Sequence, residues 1–219
     1  LIAQLDYLML EKVCADIQHW QKQQLPCVPV SVNFSRESIL STDTVPRVKA
    51  LLAKYNVAHR YIKVEITEST MISDYDPVLT DIAGLRDLGL HICIDDFGTG
   101  FSNLSTLRLL EFDQLKVDRQ FIHNISHDDS IPGLFDFIKS VGSLFSANLM
   151  CEGMEHLEDV EYLKSVGCFN HQGWFFSKAL KAQQIEQLIA QLQTAKINAV
   201  YPKDHIELAR FFEKYQHSE

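Results

Sequence analysis

Ile2, Leu5, Met9, Val13, Ile17 and Trp20 recur three to four residues apart. That spacing predicts an amphipathic helix with these residues along its apolar stripe. The pattern then changes to short β-branched runs separated by helical periods. Strands are predicted over 28–34 (VPVSVNF), 62–67 (IKVEIT), 91–97 (HICIDDF), 114–118 (QLKVD), 149–154 (LMCEGM) and 169–176. Helices are predicted over 44–55, 77–88, 131–145, 157–166 and 182–192, the second of them capped near Ser73 or Asp74. Strands alternating with helices imply right-handed βαβ units and a parallel sheet.

An open doubly wound sheet and a closed barrel both fit that alternation. The first strand is not followed by G-x-G-x-x-G, so the dinucleotide-binding layer lacks its usual mark. Nearly every strand ends in a polar or charged residue: Asn33, Glu65, Asp95 with Asp96, Lys116, Glu152 and Gln172. In a (β/α)8 TIM-like barrel such ends converge on one face, where the chemistry sits. Six strands are legible and a barrel of this kind needs eight, so the first two are expected to precede Leu1. The barrel domain is assigned to residues 1–194. Residues 195–219 read as a C-terminal extension with a further helix over 205–215.

Composition narrows the function. Of 219 residues 46% are hydrophobic and 22% charged, ordinary for a globular domain. The net charge is −9, which argues against a nucleic acid polymer as partner, because phosphate binding draws on Lys and Arg. The five cysteines (Cys14, Cys27, Cys93, Cys151, Cys168) form no C-x-x-C, and they read as reduced thiols of a cytoplasmic protein. The longest apolar stretch, 133–150, is broken by Asp136 and Lys139, so no membrane span is expected within the chain.

The strand-end residues are oxygen-rich: the Asn33 amide, the Glu65, Asp95, Asp96 and Glu152 carboxylates, and a single cation, Lys116, with the Gln172 amide beside them. Carboxylates crowded into one pocket raise one another's pKa unless positive charge intervenes. An all-oxygen donor set points to Mg²⁺ or Mn²⁺, with Ca²⁺ also fitting, rather than Zn²⁺. The adjacent Asp95 and Asp96 suit a two-metal site in which one carboxylate bridges both ions. Such clamps serve phosphoryl chemistry by polarising the phosphorus centre and stabilising the attacking and leaving oxygens.

These residues lie in stretches that resemble the EAL-domain family of cyclic di-GMP phosphodiesterases. The matching blocks are SVNFS (31–35), VEITES (64–69), IDDFGTGFSNLSTL (94–107), LKVDRQFI (115–122), CEGMEH (151–156) and QGWFFSK (172–178). They occur in the family's order and close to its spacing. The opening LIAQLDYLMLEKVC resembles the helix that follows the family's signature Glu-Ala-Leu strand, so that triplet is expected to lie upstream of residue 1.

The resemblance implies a role for each matched position. Asn33, Glu65 and Asp95 resemble ligands of a first metal; Asp95, as the bridge, and Asp96 resemble ligands of a second. Glu152 resembles a metal ligand or the base that positions the attacking water. Lys116 resembles the cation that orients that water or neutralises developing charge. Ser35, Glu155 and Gln172 resemble polar groups that touch the substrate or support the residues that do. Glu68 resembles the anchor of the loop 96–102, which couples dimerisation to metal binding in the family. The implied cofactors are Mg²⁺ or Mn²⁺, with Ca²⁺ as a substituting or inhibitory ion. The implied reaction is hydrolysis of cyclic di-GMP to linear pGpG, with a homodimer as the assembly and a sensor or diguanylate cyclase domain upstream, through which a longer protein is tethered to a membrane. A catalytically inactive cyclic di-GMP receptor is the alternative, since family members of that kind lose metal ligands.

Plainer uses compete at several positions. Asn33 alone suits a turn, and Glu68 or Glu155 suits a helix start. Trp174 and Phe175 suit core packing more often than stacking on guanine. Asp95-Asp96-Phe97-Gly98 contains the kinase Asp-Phe-Gly triplet without a kinase's other loops, and His127-Asp128 reads as a turn.

Overall fold

The computed structural model describes residues 1–71, 75–98, 107–122 and 131–194. Ser73, Asp74, most of the loop after Asp96, His127, Asp128 and the extension 195–219 lie outside the described residues. The chain divides into two compact units, Leu1–Gln114 and Leu115–Glu219.

The first unit opens with helix α1 (Ile2–Lys22). Strand β1 (Val30–Asn33) leads into the short helix α2 (Arg36–Ile39), then α3 (Thr44–Tyr55), β2 (Ile62–Thr67), α4 (Tyr75–Asp87) and β3 (His91–Phe97). Three of the predicted ranges, 44–55, 62–67 and 91–97, match the observed elements residue for residue. Helix α3 stops where Asn56 turns left-handed at φ 52°, a conformation Asn tolerates and most side chains do not. The three strands are parallel, with Asn33 opposite Glu65, Glu65 opposite Cys93 and Thr67 opposite Asp95. Side chains alternate along each strand. Val64, Ile66, Ile92 and Ile94 are fully buried on one face, while Glu65, Cys93 and Asp95 line the other.

Helix α1 buries Ile17 and Trp20 as expected, but its N-terminal half turns a different stripe inward. Tyr7, Leu10, Cys14, Ile17 and Trp20 face the core, whereas Ile2, Leu5 and Met9 are exposed. The N-terminal half of α1 is apolar on both sides, so spacing alone did not choose between two stripes. Packing against α2, α3 and β1 did. Tyr7 fixes the choice, because its hydroxyl donates to Thr44 Oγ1 at 3.0 Å and its ring meets Phe34 edge-on.

The second unit takes up β4 (Gln114–Val117, whose first residue belongs to the first unit). The short helix α5 (Arg119–Ile122), α6 (Ile131–Leu144), β5 (Asn148–Cys151), α7 (Leu157–Ser165) and α8 (Ala182–Thr194) follow. Phe135, Ile138 and Val141 of α6 and Val160 and Leu163 of α7 are buried. Leu188 and Leu192 of α8 pack with Phe176 and Leu180. The Glu152 amide donates to Val117 O at 3.1 Å, extending β5 alongside β4.

The expected strand over 169–176 is reduced to one parallel bridge, Cys151 to His171. The chain then turns. At Gly173 a Cβ would fall 2.2 Å from the Met154 amide nitrogen, so only glycine allows this approach. The Phe175 amide donates to Met154 O at 2.8 Å, closing the turn in place of a sheet ladder. Five named strands are therefore present among the described residues, where the sequence suggested six.

Candidate functional site

In the first unit the register of β1, β2 and β3 sets the donors. Asn33 ends β1 and pairs with Glu65 of β2, which is only 6% exposed. Asp95 lies two residues beyond Cys93, the partner of Glu65, and so on the same face. Lys63 of that face donates from Nζ to Gln114 Oε1 at 3.1 Å, and the Cys93 thiol points to the same oxygen at 3.5 Å. Asp96 has φ 57°, inside β3 but left-handed. Simple alternation sends neighbouring side chains to opposite faces; this twist turns the chain at the second carboxylate instead. Asp tolerates the conformation, and strain of this kind concentrates at functional sites. The Asp96 amide donates to Asp95 Oδ1 at 3.0 Å, which orients the first carboxylate.

Ser35 caps α2, and its role is fixed by a residue that sequence spacing did not reveal. Asp6 Oδ2 accepts from the Ser35 amide at 2.8 Å, the Ser35 hydroxyl at 2.6 Å and the Ser38 hydroxyl at 2.6 Å. One carboxylate of α1 thus pins the turn that follows Asn33. The Ser35-x-x-Ser38 spacing signals a cap, but nothing local points 29 residues back to Asp6. On the same rim, Arg36 Nη1 donates to Thr70 O at 2.9 Å. Glu68 is buried at 6% exposure and opens the 3-10 turn Glu68–Met71, which packs against β3. The loop it was expected to anchor falls mostly outside the described residues.

In the second unit Lys116 of β4 is 3% exposed, and its Nζ stands 2.5 Å from Glu152 Oε1. A lysine buried to that degree needs an opposite charge, and Glu152 supplies it. At the next residue, Gly153 at φ 72° leaves room for Arg119, whose Cβ a side chain there would strike at 2.6 Å. Arg119 Nη1 then meets Glu155 Oε1 at 2.7 Å. A cavity of about 480 Å³ opens among Arg119, Glu152, Glu155, Gln172, Trp174 and Lys178. Gln172 is held by its backbone, its amide donating to Cys151 O at 2.9 Å and its carbonyl accepting from Met154 at 3.1 Å. The two aromatics separate: Phe175 is core at 5% exposure, while Trp174 is 61% exposed with Lys178 Nζ 5.6 Å from its ring centre. Arg119 and Lys178 lie in the matched blocks 115–122 and 172–178, but single basic residues carry no spacing signal that would give them a role.

Each unit therefore brings its own expected residues together. Asn33, Glu65, Asp95 and Asp96 share strand ends in the first, and Lys116, Glu152, Glu155 and Gln172 cluster in the second. Among the described residues no three His, Cys, Asp or Glu side chains form a preformed metal cluster. The fit to a divalent cation is one of chemistry and register: the oxygens of Asn33, Glu65 and Asp95 lie on one strand face, which also carries Lys63 and the Cys93 thiol. No helix among the described residues is long and apolar enough to cross a membrane.

Residues 1–179 match the EAL domain family. The chain is 31% identical over 189 residues to the oxygen sensor protein DosP of Escherichia coli, covering 86% of this chain and 24% of that protein. It is 30% identical over 190 residues to the bifunctional diguanylate cyclase/cyclic di-GMP phosphodiesterase MucR of Pseudomonas aeruginosa, covering 87% and 28%. The chain thus spans about a quarter of the length of these relatives. Among solved structures, the EAL domain of Mycobacterium smegmatis DcpA superimposes with a TM-score of 0.82 at 27% identity, covering 87% of this chain and 86% of that one. The MucR phosphodiesterase in complex with cyclic di-GMP gives 0.76 at 29% identity, covering 84% and 80%. A manganese and cyclic di-GMP complex of Klebsiella pneumoniae BlrP1 gives 0.71 at 25% identity, covering 80% and 44%.

Proposed function

The chain belongs to the EAL domain family, and from that premise we propose that it hydrolyses one phosphodiester of cyclic di-GMP to give linear pGpG. The observation that carries this reading is the set of oxygen donors Asn33, Glu65 and Asp95 on one registered strand face, each at a position matching the family's motifs. MucR, a relative bearing phosphodiesterase in its name, has been solved with cyclic di-GMP bound.

Asn33, Glu65, Asp95 and Asp96 would hold Mg²⁺ or Mn²⁺, and bound ions would supply Lewis acidity toward the phosphoryl oxygens. The chain's own residues carry the proton chemistry. Lys116 Nζ holds Glu152 by its Oε1, fixing the carboxylate that receives a proton from the attacking water. As water oxygen bonds to phosphorus, the bond from phosphorus to the ribose 3′ oxygen breaks, and that oxygen takes a proton from solvent as it leaves. Arg119 and Glu155, paired at 2.7 Å, and Gln172 supply donors and acceptors suited to a guanine edge. Trp174 offers a π face for the base. In this reading Glu68 fixes the loop after Asp96, and two copies of the chain dimerise.

The test is turnover of cyclic di-GMP by the purified chain with Mn²⁺ or Mg²⁺, followed by chromatography of the nucleotides. Linear product that disappears with Asp95→Asn, and with a chelator, supports the enzyme. Tight binding of cyclic di-GMP without product overturns it in favour of a receptor. No binding and no product overturns both.

A further inference from the structure

Two thiols from separate segments of the second unit meet directly behind Glu152. Cys151 ends β5, and Cys168 lies in the turn after α7. Their sulfurs are 3.2 Å apart. Neither cysteine has a part in the proposed hydrolysis.

The backbone holds both in place. The Cys151 amide donates to Asn170 O, the Gln172 amide donates to Cys151 O, and the Cys168 amide donates to Leu163 O, each at 2.9 Å. A disulfide has a sulfur–sulfur bond of about 2.05 Å, so the two sulfurs need to close by about 1.2 Å. Both thiols are buried, and access runs through Cys168. Cys168 lines a partly open cavity of about 350 Å³ together with Lys139, Ser146, Asn148 and Leu149.

The two thiols are unequal. The hydrogen bond shared with Cys151 pulls the Cys168 thiol below its ordinary range, and His171 adds to the effect against the cost of burial. Cys168 is the sulfur of the pair that ionises more readily, and the thiolate is the attacking form.

We propose that Cys151 and Cys168 form a reversible disulfide site whose oxidant is a small peroxide. The Cys168 thiolate attacks one oxygen of hydrogen peroxide. The O–O bond breaks, and the departing hydroxide takes a proton and leaves as water. Cys168 then carries a sulfenic acid. The Cys151 sulfur attacks the Cys168 sulfur, the S–O bond breaks, and hydroxide leaves with the Cys151 proton as a second water. Two thiols are oxidised and one peroxide is reduced to two waters; a small dithiol reverses the bond by exchange.

The experiment uses the whole chain in its native state and makes no assumption about its nucleotide ligand. The chain is treated with hydrogen peroxide, then denatured with a thiol trap, and its remaining thiols are counted. The expected count falls by two from the five free cysteines. Non-reducing digestion is expected to give one linked pair of peptides, carrying Cys151 and Cys168, and dithiothreitol to restore both thiols. Cys151→Ser is expected to stop at a sulfenic acid on Cys168, captured by dimedone. Cys27 is the one cysteine that is not buried, so simple exposure favours its oxidation first. Oxidation of Cys27 with Cys151 and Cys168 intact overturns the proposal, as does linkage scattered among other pairs. Because the decisive readout is on the unsubstituted chain, it stands whether or not the variant folds.

Discussion

Lys116 Nζ lies 2.5 Å from Glu152 Oε1, and the lysine is the more deeply buried of the two. Each ion needs the other, since an unpaired charge at that depth is costly. The two halves of the pair nonetheless carry different duties. Glu152→Gln keeps an oxygen for Lys116 but removes the proton acceptor. Turnover of cyclic di-GMP is expected to fall by about 10²–10⁴-fold, the usual worth of a general base, with affinity little changed. Lys116→Met strips the cation from a mostly buried carboxylate. It is expected to cost about 3 kcal/mol of stability in urea unfolding as well as activity. Equal loss of binding and turnover in Glu152→Gln would show the glutamate to be structural.

Trp174 stands in solvent at the edge of the cavity shared with Arg119 and Glu155. An exposed aromatic of this size adds little to folding. Trp174→Ala is expected to leave the unfolding midpoint within about 0.5 kcal/mol of the parent. If it stacks on guanine, cyclic di-GMP affinity drops by about 1–3 kcal/mol, a typical value for a base on an aromatic ring. Calorimetric titration against a thermal melt separates the two. A large loss of stability with unchanged affinity would return Trp174 to the core.

Much of this was legible in the sequence, and the failures have physical causes. Strands β2 and β3 were read to the residue because β-branched alternation is local and both are flanked by turns. Asp95 and Asp96 were visible as neighbours, but the left-handed turn at Asp96 was not, since no local spacing signals it. In α1, Ile17 and Trp20 are buried as expected, but the N-terminal half of the stripe differs from expectation because Ile2, Leu5 and Met9 keep helical spacing as well as Tyr7, Leu10 and Cys14 do. Only the partner helices distinguish them. The strand expected at 169–176 failed on Gly173, whose contact with the Met154 backbone is a long-range event. Arg119, Lys178 and Asp6 share that cause: their partners are set by the fold, not by spacing.

Asp6 binds the turn after Asn33 through three donors on Ser35 and Ser38. Hydrogen bonds to a charged group are worth about 1.5–3 kcal/mol each, though not additively. Asp6→Ala is expected to destabilise the chain by at least the lower figure in chemical unfolding, and Asp6→Asn by less. The turn carries Asn33 at its start, so Asp6→Ala also weakens any binding that depends on Asn33. Affinity for Mn²⁺, followed by calorimetry, is the readout. Lost stability with unchanged Mn²⁺ affinity would confine Asp6 to the fold.

Tyr7 gives the chain a pH dependence of known sign. Burial raises its phenol above the ordinary value of 10.0, and nearby Asp43 adds to the rise against the opposing hydrogen bond to Thr44. The folded state therefore prefers the neutral phenol more than the unfolded chain does. Stability from this group is fully present below the unfolded pKa and is lost as pH rises through the folded one. Tyr7→Phe keeps the ring against Phe34 and removes the titrating hydroxyl, together with its bond to Thr44. The variant is expected to be less stable at neutral pH, and the gap to the parent is expected to shrink above about pH 10. Urea unfolding of both chains from pH 8 to 11 measures it. A gap that stays constant across that range would mean that Tyr7 ionises as readily folded as unfolded.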